Sequence, residues 1–139
     1  MTDIDIAIID YECGNIHSAR KAFELGLSEL EISEKVTVTN DIKTISKSDK
    51  LVLPGVGAFN ECYKKLMSIE GLSECIINKV FKQNVPILGI CVGLQLMADR
   101  GFENLETKGL GWISGQVKNL CPKDKKLKIP HMGWNEVYF

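Results

Sequence analysis

At 139 residues, 45% hydrophobic and 25% charged with a net charge of −1, the chain has the size and composition of one soluble globular domain. Its apolar runs are too short to span a bilayer, no charged n-region followed by an apolar h-region opens it, and its near-neutral charge gives no footprint for nucleic acid. Five cysteines, with no C-x-x-C spacing among Cys13, Cys62, Cys75, Cys91 and Cys121, fit neither a disulfide framework nor a metal site, and reduced thiols in a cytoplasmic protein are the simplest account.

Asp3 to Asp10 holds the near-continuous apolar run Ile4, Ile6, Ala7, Ile8 and Ile9, the pattern of a central parallel strand covered on both faces. Cys13-Gly14-Asn15 makes the turn. Ile16, Ala19, Ala22 and Phe23 then follow helical spacing, with Gly26 expected as the C-terminal cap. Val36 to Val38 is a short second strand. Asn40 and Asp41 are N-cap residues for a helical turn around Ile42 and Ile45, and Leu51 to Leu53 forms a third strand.

That strand runs into Pro54-Gly55-Val56-Gly57-Ala58-Phe59. Two glycines around one valine leave backbone N–H groups free to be aimed, as an oxyanion hole requires. On local sequence alone a plain turn is the simpler reading. Asn60 to Met67 and Ser73 to Gln83 read as helices separated near Gly71. Leu72, Cys75, Ile76 and Val80 give the second an apolar stripe, and Lys79 and Lys82 are expected on its solvated face.

The most informative stretch is Asn84 to Met97. Val85 to Ile90 reads as a buried strand and Leu94 to Arg100 as a short helix ended by Gly101. Cys91 sits at the joint, between Gly89 and Gly93. A free cysteine usually behaves as a small buried hydrophobe. The pattern G-x-C-x-G between strand and helix, however, is the cysteine counterpart of the nucleophile elbow, in which a strained backbone holds the sulfur out and the helix N-terminus favours its thiolate. Cys91 is therefore the candidate nucleophile.

Further on, Gly109 to Gly115 leads into an expected strand over Gln116 to Leu120. Lys123, Lys125, Lys126 and Lys128, with Asp124 among them and no interleaved aromatics, read as a solvated hairpin. The chain closes on Ile129-Pro130-His131-Met132-Gly133-Trp134-Asn135 and an expected core strand over Val137-Tyr138-Phe139. His131 is more simply structural than catalytic, and an exposed Trp134 beside Gly133 suggests a contact surface.

The fold these elements predict is three-layer α/β, a mainly parallel open sheet from Ile4 to Ile9, Val36 to Val38, Leu51 to Leu53 and Val85 to Ile90, with helices on both faces. The site falls at the carboxyl ends of the strands, because Gly14, Gly55 and Cys91 each follow one.

Together, Asp10-Tyr11 with Gly14-Asn15, the run Leu53 to Phe59, the run Gly89 to Gln95, Gly109-Leu110-Gly111 and the run Pro130 to Asn135 resemble the class I (triad) glutamine amidotransferases across essentially the whole chain. Within that family the chain is similar to the glutaminase subunits that serve histidine biosynthesis. Glu12-Cys13 stands where the family carries smaller or more typical loop residues.

The resemblance implies an enzyme without cofactor. Cys91 attacks the side-chain amide of glutamine to form a thioester and release ammonia. Val92 N–H with a loop N–H at Gly55, Val56 or Gly57 stabilises the oxyanion, and Gly57 and Gln95 hold the glutamine. The ammonia passes to a partner (β/α)8-barrel synthase in a heterodimer, which makes imidazole glycerol phosphate and an aminoimidazole carboxamide ribotide. Asn15, Trp134 and Asn135 lie at or near the docking face. The family's general-base histidine and its carboxylate follow the equivalent of Phe139, and neither His17 nor His131 matches that base. The expectation is thus a single amidotransferase domain over residues 1–139 lacking its C-terminal part, with weak or no activity alone. The alternatives are a non-catalytic partner that keeps the fold, or an ammonia supplier to a sugar-modifying amidotransferase.

Overall fold

Alternation inside one uninterrupted apolar run lets a single strand serve two cores. In the computed structural model, which describes residues 4–138, β1 (Ile4–Ile9) sends Ile6 and Ile8 to one face and Ala7 and Ile9 to the other, as the two-residue period of a strand requires. Asp3 and Phe139 lie outside the described residues. β2 (Glu34–Thr39), β3 (Lys50–Leu53) and β4 (Ile87–Gly89) pair with it in the order β2-β1-β3-β4, all parallel. The four expected strands and their parallel sheet are therefore present, with β1 inside the sheet.

The first face is covered by α1 (Ile16–Glu29), whose Ile16, Ala19, Phe23 and Leu27 pack on Ile6, Ile8 and Val52. On the opposite face lie α2 (Ile42–Lys47), α3 (Phe59–Ser68), α4 (Leu72–Ile77) and α5 (Val92–Gln95). They bury Ile45, Phe59, Cys62, Leu66, Leu72, Ile76 and Val92 with Leu51 and Leu53. Helices on both faces give the three layers. Asp41 caps α2 by accepting from the amides of Lys43 and Thr44. A second sheet, β5 (Ala98–Phe102), β6 (Glu106–Lys108) and β7 (Ile113–Val117), has the order β6-β5-β7.

Several expectations are corrected. Gly26 does not cap α1, which runs on to Glu29, where the Leu30 amide donates to the Gly26 carbonyl; one glycine is a small cost in a helix that goes on to pack Leu27, partly buried, against the sheet. Lys79 is buried rather than solvated. It follows Leu72 and Ile76 at helical spacing, so periodicity overrides residue type. The stem lies in the apolar stripe while the ammonium donates to the Ser46 carbonyl at 3.0 Å. After α4 the helix widens through a π-helical stretch, Asn78–Lys82, closed by the Gln83 amide on the Asn78 carbonyl.

β4 is shorter than expected and half exposed, with Leu88 facing outward at 52%, because among the described residues it is an edge strand. Ala98 to Arg100 is strand, not the end of a helix: α5 is a single turn, and β5 gains pairing with both β6 and β7. β7 begins at Ile113, three residues before the expected Gln116, and ends at Val117. The lysine-rich stretch is an exposed turn around Asp124 without strands. Residues 129–138 contain no strand either, and Trp134 and Tyr138 are exposed. An apolar segment becomes a strand only where a neighbour takes its backbone hydrogen bonds.

Candidate active site

The chain leaves β4 and must turn at once into α5, and Cys91 absorbs that turn with φ of 52° and ψ of −118°. A non-glycine residue reaches positive φ only when its surroundings enforce it. Here the enforcement is close packing. A Cβ on Gly89 would stand 2.6 Å from Leu94 Cα, and one on Gly93 would stand 1.9 Å from the Leu53 carbonyl oxygen. Both glycines are thus required where strand and helix pass, and the thiol is left exposed.

The loop after β3 lies directly against this elbow. The Val92 amide donates to the Gly55 carbonyl at 3.3 Å, the Ile90 amide to the Leu53 carbonyl at 3.0 Å, and a Cβ on Gly55 would come within 2.4 Å of Gly93 N. Gly57 takes φ of 122°. Val56 is 60% exposed. Cys91, Val92 and Gly55 are therefore brought together by two loops at the carboxyl ends of β3 and β4. A cleft of ≈ 630 Å³ beside the loop after β3 is lined by Glu12, Cys13, Gly14, Asn15, Val56 and Gly57 among others, but not by Cys91, Val92 or Gly55. Glu12 has φ of 61°, and Lys65 Nζ donates to its carbonyl at 2.8 Å. Glu12 and Cys13 thus shape one wall of this cleft.

Asn15 caps α1, its side chain accepting from the Ser18 amide at 3.2 Å. Gln95 is exposed at the end of α5. Trp134 and Asn135 lie in the exposed irregular segment after β7, which encloses a larger concavity of ≈ 950 Å³ with Cys121, Pro122, Ile129 and His131 in its lining but not Cys91. Of the two histidines, His17 is exposed on α1 and His131 sits in that segment. The helix presenting its N-terminus to Cys91 is four residues long, so its dipole is that of one turn.

Two residues to which the sequence assigns no role hold the loop, Tyr11 of the first motif and Glu103. Tyr11, 1% exposed, donates its hydroxyl to the Pro54 carbonyl. Glu103, just after β5, accepts the Phe59 amide at 2.7 Å and so caps α3. Both partners lie more than forty positions away in sequence, so no local signal marks them. Beneath the loop, Cys62 Sγ lies 3.6 Å from the Val56 carbonyl. Burial, then a hydrogen bond with Cys13, pushes the Cys62 thiol up to about 12.

Among the described residues no group of three His, Cys, Asp or Glu side chains is placed to hold a metal, and no helix is long and apolar enough to cross a membrane. The family model for glutamine amidotransferase class-I matches residues 7–138. The chain is 52% identical over 132 residues to an imidazole glycerol phosphate synthase subunit HisH of Bradyrhizobium diazoefficiens, covering 95% of this chain and 61% of that protein. It is 47% identical over 133 residues to the protein of the same name in Brucella suis, covering 96% and 62%. A solved structure described as a crystal structure of glutamine amidotransferase superposes with a TM-score of 0.61 at 18% identity, over 81% of this chain and 55% of that one. The chain thus spans about 61% of the length of the curated relatives it matches.

Proposed function

Since the chain belongs to the class-I glutamine amidotransferase family, we propose that it supplies the nucleophilic part of the glutaminase subunit of an imidazole glycerol phosphate synthase, acting in the cytoplasm. The observation that carries this reading is the exposed Cys91 thiol on a strained elbow, packed against the Gly55 loop. The names and roughly 50% identity of the relatives support the choice of synthase.

In this reading Cys91 Sγ bonds to the side-chain carbonyl carbon of glutamine. The carbonyl electron pair moves onto oxygen and returns as the C–N bond breaks. Ammonia leaves with the thiol's proton, and water then hydrolyses the γ-glutamyl thioester to glutamate. Val92 N–H and an N–H of Gly55, Val56 or Gly57 face the oxyanion. In the structure the Val92 amide is taken by the Gly55 carbonyl at a long 3.3 Å, so that carbonyl turns aside before the amide serves an oxyanion. Gly57 and Gln95 hold the substrate. Asn15, Trp134 and Asn135 meet a (β/α)8-barrel partner that receives the ammonia.

A thiol nucleophile also needs a base, oriented by a carboxylate. Neither His17 on α1 nor His131 fills that place in this reading, so these 139 residues turn glutamine over at least about 10³-fold more slowly than a full-length relative. The alternative reading is a non-catalytic partner that keeps the fold. Incubation with glutamine and intact-mass analysis separates the two: a γ-glutamyl adduct on Cys91, lost in Cys91→Ala, supports the glutaminase. If Cys91 accepts neither glutamine nor a glutamine-shaped chloromethyl ketone, the non-catalytic reading stands.

A further inference from the structure

From the last residue of β3 into the loop that follows, the first two carbonyls are held more firmly than the next two. Leu53 O takes the Ile90 amide at 3.0 Å and Pro54 O takes the Tyr11 hydroxyl, whereas Gly55 O has the Val92 amide at 3.3 Å and Val56 O only a thiol at 3.6 Å. The Tyr11 hydroxyl also lies against Gly55, since a Cβ there would stand 2.9 Å from it. The geometry points to Tyr11 as a positioning residue for oxyanion stabilisation, acting through the Pro54 carbonyl on the backbone donors of Gly55 to Gly57. This inference rests on reading Cys91 as the glutaminase nucleophile.

Three features support it. Proline fixes φ at position 54, so anchoring its carbonyl fixes the direction in which the loop departs. Tyr11 itself cannot shift, because its ring is buried in the core with Leu53, Cys62 and Val92. Burial, with the thiols of Cys62, Cys13 and Cys91 around it, raises the hydroxyl well above the ordinary tyrosine value, so it remains a donor across the working range. Donors stabilise developing charge only when they are oriented before the reaction. Phenylalanine at position 11 keeps the ring and releases the carbonyl.

Two reagents separate this role from core filling. Iodoacetamide alkylates Cys91 by displacement at a saturated carbon, forming C–S and expelling iodide, with no oxyanion. A glutamine-shaped chloromethyl ketone is attacked first at its carbonyl carbon. The resulting alkoxide then collapses: C=O re-forms as the bond from sulfur to the carbonyl carbon breaks, sulfur bonds to the adjacent carbon and chloride leaves, the thiol proton passing to buffer.

The expected result is that Tyr11→Phe, checked by circular dichroism to be folded, slows the ketone at Cys91 by at least about tenfold and leaves the iodoacetamide rate unchanged. Equal slowing of both reagents, or slowing of neither, overturns the proposal by making Tyr11 a core residue only. The wild-type chain distinguishes the two levels of the argument. If its Cys91 reacts with the ketone no faster than Cys121 does, the glutaminase reading falls and this proposal falls with it.

Discussion

The Val92 amide and the Gly55 carbonyl close the gap between elbow and loop at 3.3 Å, an approach that leaves no room for a methyl group. Gly55→Ala places a Cβ 2.4 Å from Gly93 N, and Gly93→Ala places one 1.9 Å from the Leu53 carbonyl. Backbone rather than a flexible side chain must move in both cases. Each substitution should cost about 1–3 kcal/mol or more, Gly93→Ala being the worse, as read from urea denaturation. Unchanged midpoints would mean that the elbow is looser than its geometry.

The thiols should react in an order set by exposure and burial. Cys91 and Cys121 are exposed, Cys75 is half-buried and Cys62 is buried. Limiting iodoacetamide at neutral pH, followed by peptide mapping, should label Cys91 before Cys75 and leave Cys62 last. Burial raises the Cys75 thiol and, with the hydrogen bond to Cys13, raises Cys62 further. Early labelling of Cys62 in folded protein would contradict this packing.

The same Cys62 shift fixes a direction for alkaline stability. In the unfolded chain the thiol loses its proton near 9.0, and in the folded protein only near about 12. Between those values the unfolded state binds fewer protons, so stability present below pH 9 should decline as pH rises through that window. Cys62→Ala should flatten the decline. A melting temperature that rises over that range would refute the sign.

Lys79 offers a test of a buried cation. Lys79→Ala removes both the stem packed in the α4 stripe and the bond to the Ser46 carbonyl, and should destabilise by about 1–3 kcal/mol. Lys79→Met keeps the stem. It should recover part of that loss in thermal denaturation.

On β4 and in the segment after β7, Leu88, Met132, Trp134 and Tyr138 are more than half exposed. Exposed apolar groups of this kind favour association. Light scattering of the 139-residue chain should report self-association that weakens in Leu88→Lys, and a strictly monomeric wild type would rule it out.

What the sequence made legible was what is local or periodic. The run at Ile4 to Ile9, the Asp41 cap and the G-x-C-x-G joint each state their structure in consecutive residues, and all three are found in the fold. The misplacements have physical causes. Lys79 was assigned by its charge when helical spacing put it on the core side, and Ala98 to Arg100 was read as helix because its strand partners, β6 and β7, come later in the chain. Tyr11 and Glu103 meet the loop only across folded distances, so Tyr11 stands in a motif whose contact no window shows, and Glu103 stands in none.

Glu103 ties the loop to a second sheet. The five residues Pro54 to Ala58 are fastened upstream in the large sheet, through Leu53, and downstream by a carboxylate that belongs to the small one. The span is therefore strung between two bodies, and its slack depends on how closely they stand. Gly101 sets that distance, because a Cβ there would meet the Phe59 ring at 2.7 Å. A bulky side chain at position 101, in β5 of the small sheet, would pull the strap taut and be felt at the sulfur.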